Sequence, residues 1–175
     1  MGLERKFVQG DAPVRLEDGS CVAGYASWFG VEDTGRDIVQ AGAYCDSLAR
    51  MSVEGRRVKM LWQHDPTQVI GIWDEVREDA RGLFVKGRLL PGVEKAREAA
   101  QLIEAGALDG LSIGYTVKRA GKDSQGRRLL KELELWEVSL VTFPMLPSAR
   151  VGTKADPLRE MARAIQSARL ELARD

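Results

Sequence analysis

A mainly β (α+β) fold, a barrel or sandwich, is predicted by three features of this 175-residue sequence. Residues 57–90 hold three apolar runs of strand length divided by turn residues. Residues 111–119 and 127–143 form two more such runs around a polar loop at 121–126. Ahead of the C-terminal tail, only residues 93–105 have the length and spacing of a long helix. Many strands with one long and one short helix inserted argue against alternating βαβ units.

Taken in order, residues 6–9 form a short strand candidate, and Glu17-Asp18-Gly19 is a turn signal. Residues 21–29 make an apolar, aromatic strand with Gly24 inside it. The acidic, glycine-containing stretch 30–37 reads as an exposed loop, and residues 43–51 as a short helix. Strands are expected at 57–64, 69–77 and 83–90. Asp65-Pro66 divides the first two, and a hairpin connection ending in Gly82 divides the second pair. Gly71 and Gly87 inside strands mark bends or bulges of the kind small barrels use at corners. The helix at 93–105 buries Val93, Ala96, Ala100 and Ile103 on one face and ends at Gly106. Strands follow at 111–119 and 127–143, the last closed by Pro144 and Pro147. A final amphipathic helix at 157–175 carries Leu158, Met161, Ile165, Ala168 and Leu172 in a stripe, dividing the chain into a domain of residues 1–155 and a helical tail of 156–175.

Lys plus Arg and Asp plus Glu are both 26, so no basic excess supports binding to a nucleic-acid backbone. Residues 1–6 lack the apolar core of a signal peptide, and no apolar run is long enough to span a membrane, which points to a cytoplasmic protein without membrane partners. Cys21 and Cys45 stand in no CxxC pair and have one histidine to join, which makes a zinc site improbable.

That histidine, His64 in Leu61-Trp62-Gln63-His64-Asp65-Pro66, is the default candidate for proton transfer if partners exist. Gly110-Leu111-Ser112-Ile113-Gly114 matches G-x-S-x-G, the nucleophile turn of α/β-hydrolases. The context does not fit that fold: the histidine precedes the serine, and a strand rather than a helix follows. Ser112 nevertheless lies between two glycines that leave space beside its hydroxyl. A serine–histidine pair gains from a carboxylate on the second imidazole nitrogen, for which Asp65, Glu134 and Glu137 are candidates. Asp65 adjoins His64 and in extended chain would face away from it; before a proline it starts a turn. Glu137 lies in the otherwise largely apolar run Leu133-Glu134-Leu135-Trp136-Glu137-Val138-Ser139-Leu140-Val141, where a buried carboxylate needs a partner, so it is the preferred third member.

Four segments in this order, Leu61 to Pro66 with Ile70-Gly71, Gly82-Leu83-Phe84-Val85-Lys86-Gly87, Gly110-Leu111-Ser112-Ile113-Gly114-Tyr115, and Glu137-Val138-Ser139-Leu140-Val141-Thr142-Phe143-Pro144, resemble the prohead (capsid maturation) serine proteases of HK97-type tailed phages. The resemblance spans residues 20–152. It implies a closed β-barrel of about seven strands with a few surrounding helices, similar to the herpesvirus assembly proteases. It also implies a serine endopeptidase acting in the host cytoplasm inside the procapsid of a phage, prophage or phage-derived particle. The expected partners are the major capsid protein with its scaffold segment and the enzyme itself through self-cleavage, with room for a homo-oligomer. Carried over, Ser112 is the nucleophile, His64 the general base and then acid, and Glu137 the third member. No metal or organic cofactor is implied, and oxyanion donors are expected among backbone N–H groups near Ser112. A non-catalytic assembly factor with the same fold is the alternative.

Overall fold

Apolar alternation builds most of this molecule into one ten-stranded sheet, seen in a computed structural model that describes residues 4–7, 14–17, 19–33, 35–142 and 151–152. The strands are β1 (Glu4–Phe7), β2 (Val14–Glu17), β3 (Cys21–Trp28), β4 (Asp37–Val39), β5 (Lys59–Trp62), β6 (Asp65–Glu78), β7 (Gly82–Leu89), β8 (Gly110–Lys122), β9 (Arg128–Val141) and β10 (Val151–Gly152). Two helices, α1 (Cys45–Glu54) and α2 (Glu94–Glu104), interrupt them. The neighbour order is β1-β8-β9-β5-β6-β7-β3-β2-β10, with β4 added on β9. The tail helix expected at 157–175, and with it the domain boundary at 155, lies outside the described residues.

The fold is mostly β with few helices, as expected, but the sheet is strongly curled rather than a closed barrel of seven strands. The edge strands are β1, which pairs only with β8, and β10, which pairs only with β2, and among the described residues no ladder joins them.

Inside the curl, Val22, Met60, Ile70, Val85, Leu111, Ile113, Val138 and Leu140 belong to a single buried cluster. Such burial is worth roughly 1.5–3 kcal/mol per large side chain. Gly71 and Gly87 are needed here for space. A Cβ on Gly71 would lie 2.1 Å from Met60 Sδ, and one on Gly87 would lie 2.3 Å from Ile72 O. Helix α2 ends at Gly106, whose φ of 70° takes the left-handed cap that glycine accepts without strain. Its deepest residues are Ala96, Ala99 and Ile103, so Ala99 takes the place expected for Ala100.

Two departures from the predicted elements bear on function. The expected loop at 30–37 ends in β4, which pairs in parallel with the start of β9. The strand expected at 57–64 stops at Trp62, and Asp65-Pro66 opens β6 instead of dividing two strands. The reversal therefore falls on Gln63 and His64.

Candidate active site

Strands β8 and β9 pair antiparallel with Ser112 opposite Ser139 and Gly114 opposite Glu137. Since alternate residues share a face, register alone sets Ser112 and Gly114 beside Glu137 and Ser139. A bulge follows: Gly114 pairs with Glu137 but Tyr115 with Leu135, leaving Trp136 as the extra residue of β9. The core side of β9 is accordingly Leu133 and Leu135 before the bulge and Val138 and Leu140 after it. This change of parity turns Glu137 to the side opposite the core. The Leu135 N–H beside the bulge donates to Ser47 Oγ at 2.9 Å, which fastens α1 against this part of β9.

Strand β5 lies parallel on the other edge of β9, with Leu61 opposite Ser139 and Trp62 opposite Leu140. Trp62 also pairs with Asp65 across a two-residue turn whose φ values are 52° at Gln63 and 62° at His64. Positive φ at both central residues is the type I′ hairpin, usually made by Asn-Gly. Two side-chain-bearing residues hold it here at a cost of about 1–2 kcal/mol each. Contacts with the end of β9 offset that cost. The Gln63 backbone N–H donates to Leu140 O at 3.0 Å, Gln63 Nε2 donates to Thr142 Oγ1 at 2.6 Å, and the His64 backbone N–H donates to Ser139 Oγ at 3.1 Å.

The turn carries the imidazole over β9. His64 Nε2 lies 2.6 Å from Ser112 Oγ, and His64 Nδ1 lies 2.5 Å from Glu137 Oε1. A carboxylate can only accept, so Nδ1 bears the ring proton and Nε2 is free to accept from the Ser112 hydroxyl. The second carboxylate oxygen, Oε2, accepts from Ser139 Oγ at 2.6 Å. All four side chains are buried: Ser112 and Ser139 are fully enclosed, and His64 and Glu137 are 7% and 4% exposed. Water is thereby kept from competing for these hydrogen bonds.

The structure thus brings together His64, Ser112 and Glu137, the three residues singled out in the sequence. It separates the other two carboxylates considered. Glu134 pairs with Arg50 and, at 3.6 Å, with Arg56. Asp65 accepts from the Thr67 backbone N–H at 2.9 Å, from Thr67 Oγ1 at 2.6 Å and from Gln68 Nε2 at 2.9 Å. Those hydrogen bonds, led by the Thr67 hydroxyl, lower its carboxyl below the ordinary range.

Two contributors were not assigned from sequence. One is Ser139, which shares a strand face with Glu137 two residues away. The other is Gly114, where a Cβ would fall 2.2 Å from Glu137 Oε1. The second glycine of G-x-S-x-G therefore makes space for a carboxylate instead of shaping a nucleophile elbow. Beside His64 and Glu137 opens a cavity of about 690 Å³, with Met51, Leu61, Pro66 and Trp136 as apolar lining and Arg56, Arg57 and Lys59 as basic lining.

A family model described as caudovirus prohead serine protease matches residues 11–164. The prohead protease of Enterobacteria phage HK97 is 35% identical over 135 residues, covering 74% of this chain and 57% of that protein. The capsid polyprotein of Pseudomonas phage PAJU2 is 34% identical over 116 residues, covering 62% of this chain and 17% of that one. The chain thus matches little more than half the length of the first relative and a small part of the second. Among solved structures, the bacteriophage T4 capsid assembly protease aligns with a TM-score of 0.62 at 16% identity, covering 81% of this chain and 98% of that one, a likeness of fold.

Proposed function

The chain belongs to the caudovirus prohead serine protease family, and from that premise we propose that it is a serine endopeptidase of procapsid maturation. Its proposed substrates are scaffold or N-terminal segments of the major capsid protein, and its own chain. The observation that carries the reading is the buried Ser112–His64–Glu137 relay, with both imidazole nitrogens engaged at 2.6 and 2.5 Å.

In the proposed reaction, His64 Nε2 takes the Ser112 hydroxyl proton as Oγ bonds to the scissile carbonyl carbon. The imidazolium is stabilised by Glu137 through Nδ1–H. Collapse of the tetrahedral oxyanion breaks the C–N bond, and His64 returns the proton to the leaving amine. Water, deprotonated by His64, then bonds to the acyl carbon, the ester bond from that carbon to Ser112 Oγ breaks to release the acid, and His64 returns the proton to Oγ. Backbone N–H groups near Ser112 are the proposed oxyanion donors. The cavity beside His64 is proposed to seat part of the substrate peptide, its apolar lining taking one side chain and Arg57 and Lys59 meeting polar or acidic groups.

Co-expression with the proposed substrate, the major capsid protein of the same particle, tests the reading. Wild type should shorten the capsid protein and Ser112→Ala should leave it at full mass. Equal masses would overturn the protease assignment in favour of an assembly factor with the same fold.

A further inference from the structure

The least conspicuous group in the site is the one that closes its hydrogen-bond circuit. Ser139 Oγ accepts the His64 backbone N–H at 3.1 Å and donates to Glu137 Oε2 at 2.6 Å. Glu137 Oε1 in turn holds His64 Nδ1 at 2.5 Å. The circuit therefore begins at the main chain of His64 and returns to its ring. We infer that Ser139 is a positioning residue of the relay: one hydroxyl fixes both the strained turn that carries the base and the rotamer of the acid that orients it.

Each half of this role has a physical basis. At φ 62°, His64 sits in a region that side-chain-bearing residues visit at a cost, and its amide points away from its own hairpin ladder. An acceptor from β9 is what keeps that amide satisfied in a buried site. Glu137 has two carboxylate oxygens and one imidazole proton to meet. Oε1 takes that proton, and the Ser139 hydroxyl is the donor that Oε2 meets in this buried site. Ser139 is supplied to both by register, since it pairs with Ser112 on one side and with Leu61 on the other. Alanine at 139 would leave both needs unmet. A threonine keeps the hydroxyl and suits a strand.

The inference rests on the serine protease reading and makes a separate prediction. Removing the Ser139 donor takes away one of the two hydrogen bonds that stabilise the ionised Glu137 carboxylate and leaves the His64 ring as its remaining side-chain donor. The active form, with neutral imidazole and ionised carboxylate, is consequently lost at higher pH as the solution is acidified. Other charged groups near the pair are Lys59 on β5, Asp65 at the start of β6, and Arg56 and Arg57 after α1. All are unchanged by the substitution.

The test is the rate at which a fluorescent fluorophosphonate labels Ser112 in the full chain between pH 5 and 9, with thermal unfolding followed in parallel. Ser139→Ala should lower the plateau rate about tenfold to a hundredfold and move the acid limb up by about half a pH unit or more. Ser139→Thr should restore the wild-type midpoint. A wild-type chain that does not label overturns the protease reading, and this inference with it. A wild type that labels, beside an alanine variant with an unmoved midpoint or a threonine variant that shifts as alanine does, overturns the inference alone.

Discussion

Two regions hold the relay in different ways. Ser112 and Glu137 stand on the β8–β9 ladder, where register and a single bulge fix their separation. His64 stands on a two-residue turn at positive φ, kept in place by hydrogen bonds to the end of β9. A ladder distributes its positioning over many backbone bonds and tolerates the loss of one. A strained turn depends on the few side chains that oppose its strain, so small changes there should alter rate more than stability.

The largest expected effect shows what the two regions have in common. Ser112→Ala in the ladder and His64→Ala in the turn should each lower the processing rate by about 10⁴-fold, and the double variant should be little worse, because the residues act as one unit. Both proteins should keep the wild-type β-rich circular dichroism spectrum. Losses that multiplied in the double variant would mean that serine and histidine act independently.

Gly114→Ala attacks the ladder where it is least tolerant. Its Cβ would enter the space of Glu137 Oε1, which is already bound to His64, so the carboxylate must move or the strands must part. The expected result is a rate loss of about 100-fold or more with a stability loss of about 1–3 kcal/mol, read by urea unfolding. The turn should show smaller losses of both kinds. Gln63→Ala keeps the backbone but removes both side-chain hydrogen bonds with Thr142, from Nε2 to Oγ1 and from the Thr142 backbone N–H to Oε1, at a cost of about 1 kcal/mol. It should slow labelling several-fold. If Gln63→Ala left the rate untouched while unfolding more easily, the turn would not be the sensitive support.

The same contrast explains which features were legible in the sequence. The strands β3, β7, β8 and β9 and the helix α2 announce themselves through periodicity and glycine punctuation. Glu137 stood out because a carboxylate in an apolar run requires a partner. The His64 turn did not, since Gln-His lacks the Asn-Gly chemistry that marks a type I′ hairpin, and Asp65-Pro66 beside it looks like a better turn. Strand β4 was hidden because its three residues pair in parallel with residues 91 positions later. Whether the sheet closes is equally non-local, decided by whether its edge strands β1 and β10 meet. The bulge at Trp136 was visible in principle: apolar residues change from odd to even positions between Leu135 and Val138.

The far end of β6 provides a control that separates pinning a turn from catalysis. There Asp79 receives Tyr25 Oη at 2.6 Å, the Arg81 and Gly82 backbone N–H groups at 2.8 and 3.2 Å, and Arg77 Nη1 at 2.9 Å. Burial alone would raise its carboxyl, but these hydrogen bonds, led by Tyr25, outweigh burial and hold it at about 2. A carboxyl depressed in the folded state contributes stability that is complete above its unfolded value near 4 and is lost as pH falls toward 2. With a quarter of the side chain exposed, solvent screening limits the contribution to about 1 kcal/mol. Asp79→Asn should therefore unfold at a lower urea concentration than wild type at pH 6, with the gap narrowing between pH 4 and pH 2.5. Its Ser112 labelling rate should equal that of wild type, because this turn is pinned by side chains but carries no reacting atom. A fall in labelling with the Asp79 change would mean that β6 transmits strain along its length to His64, and the two ends could no longer be treated as separate supports.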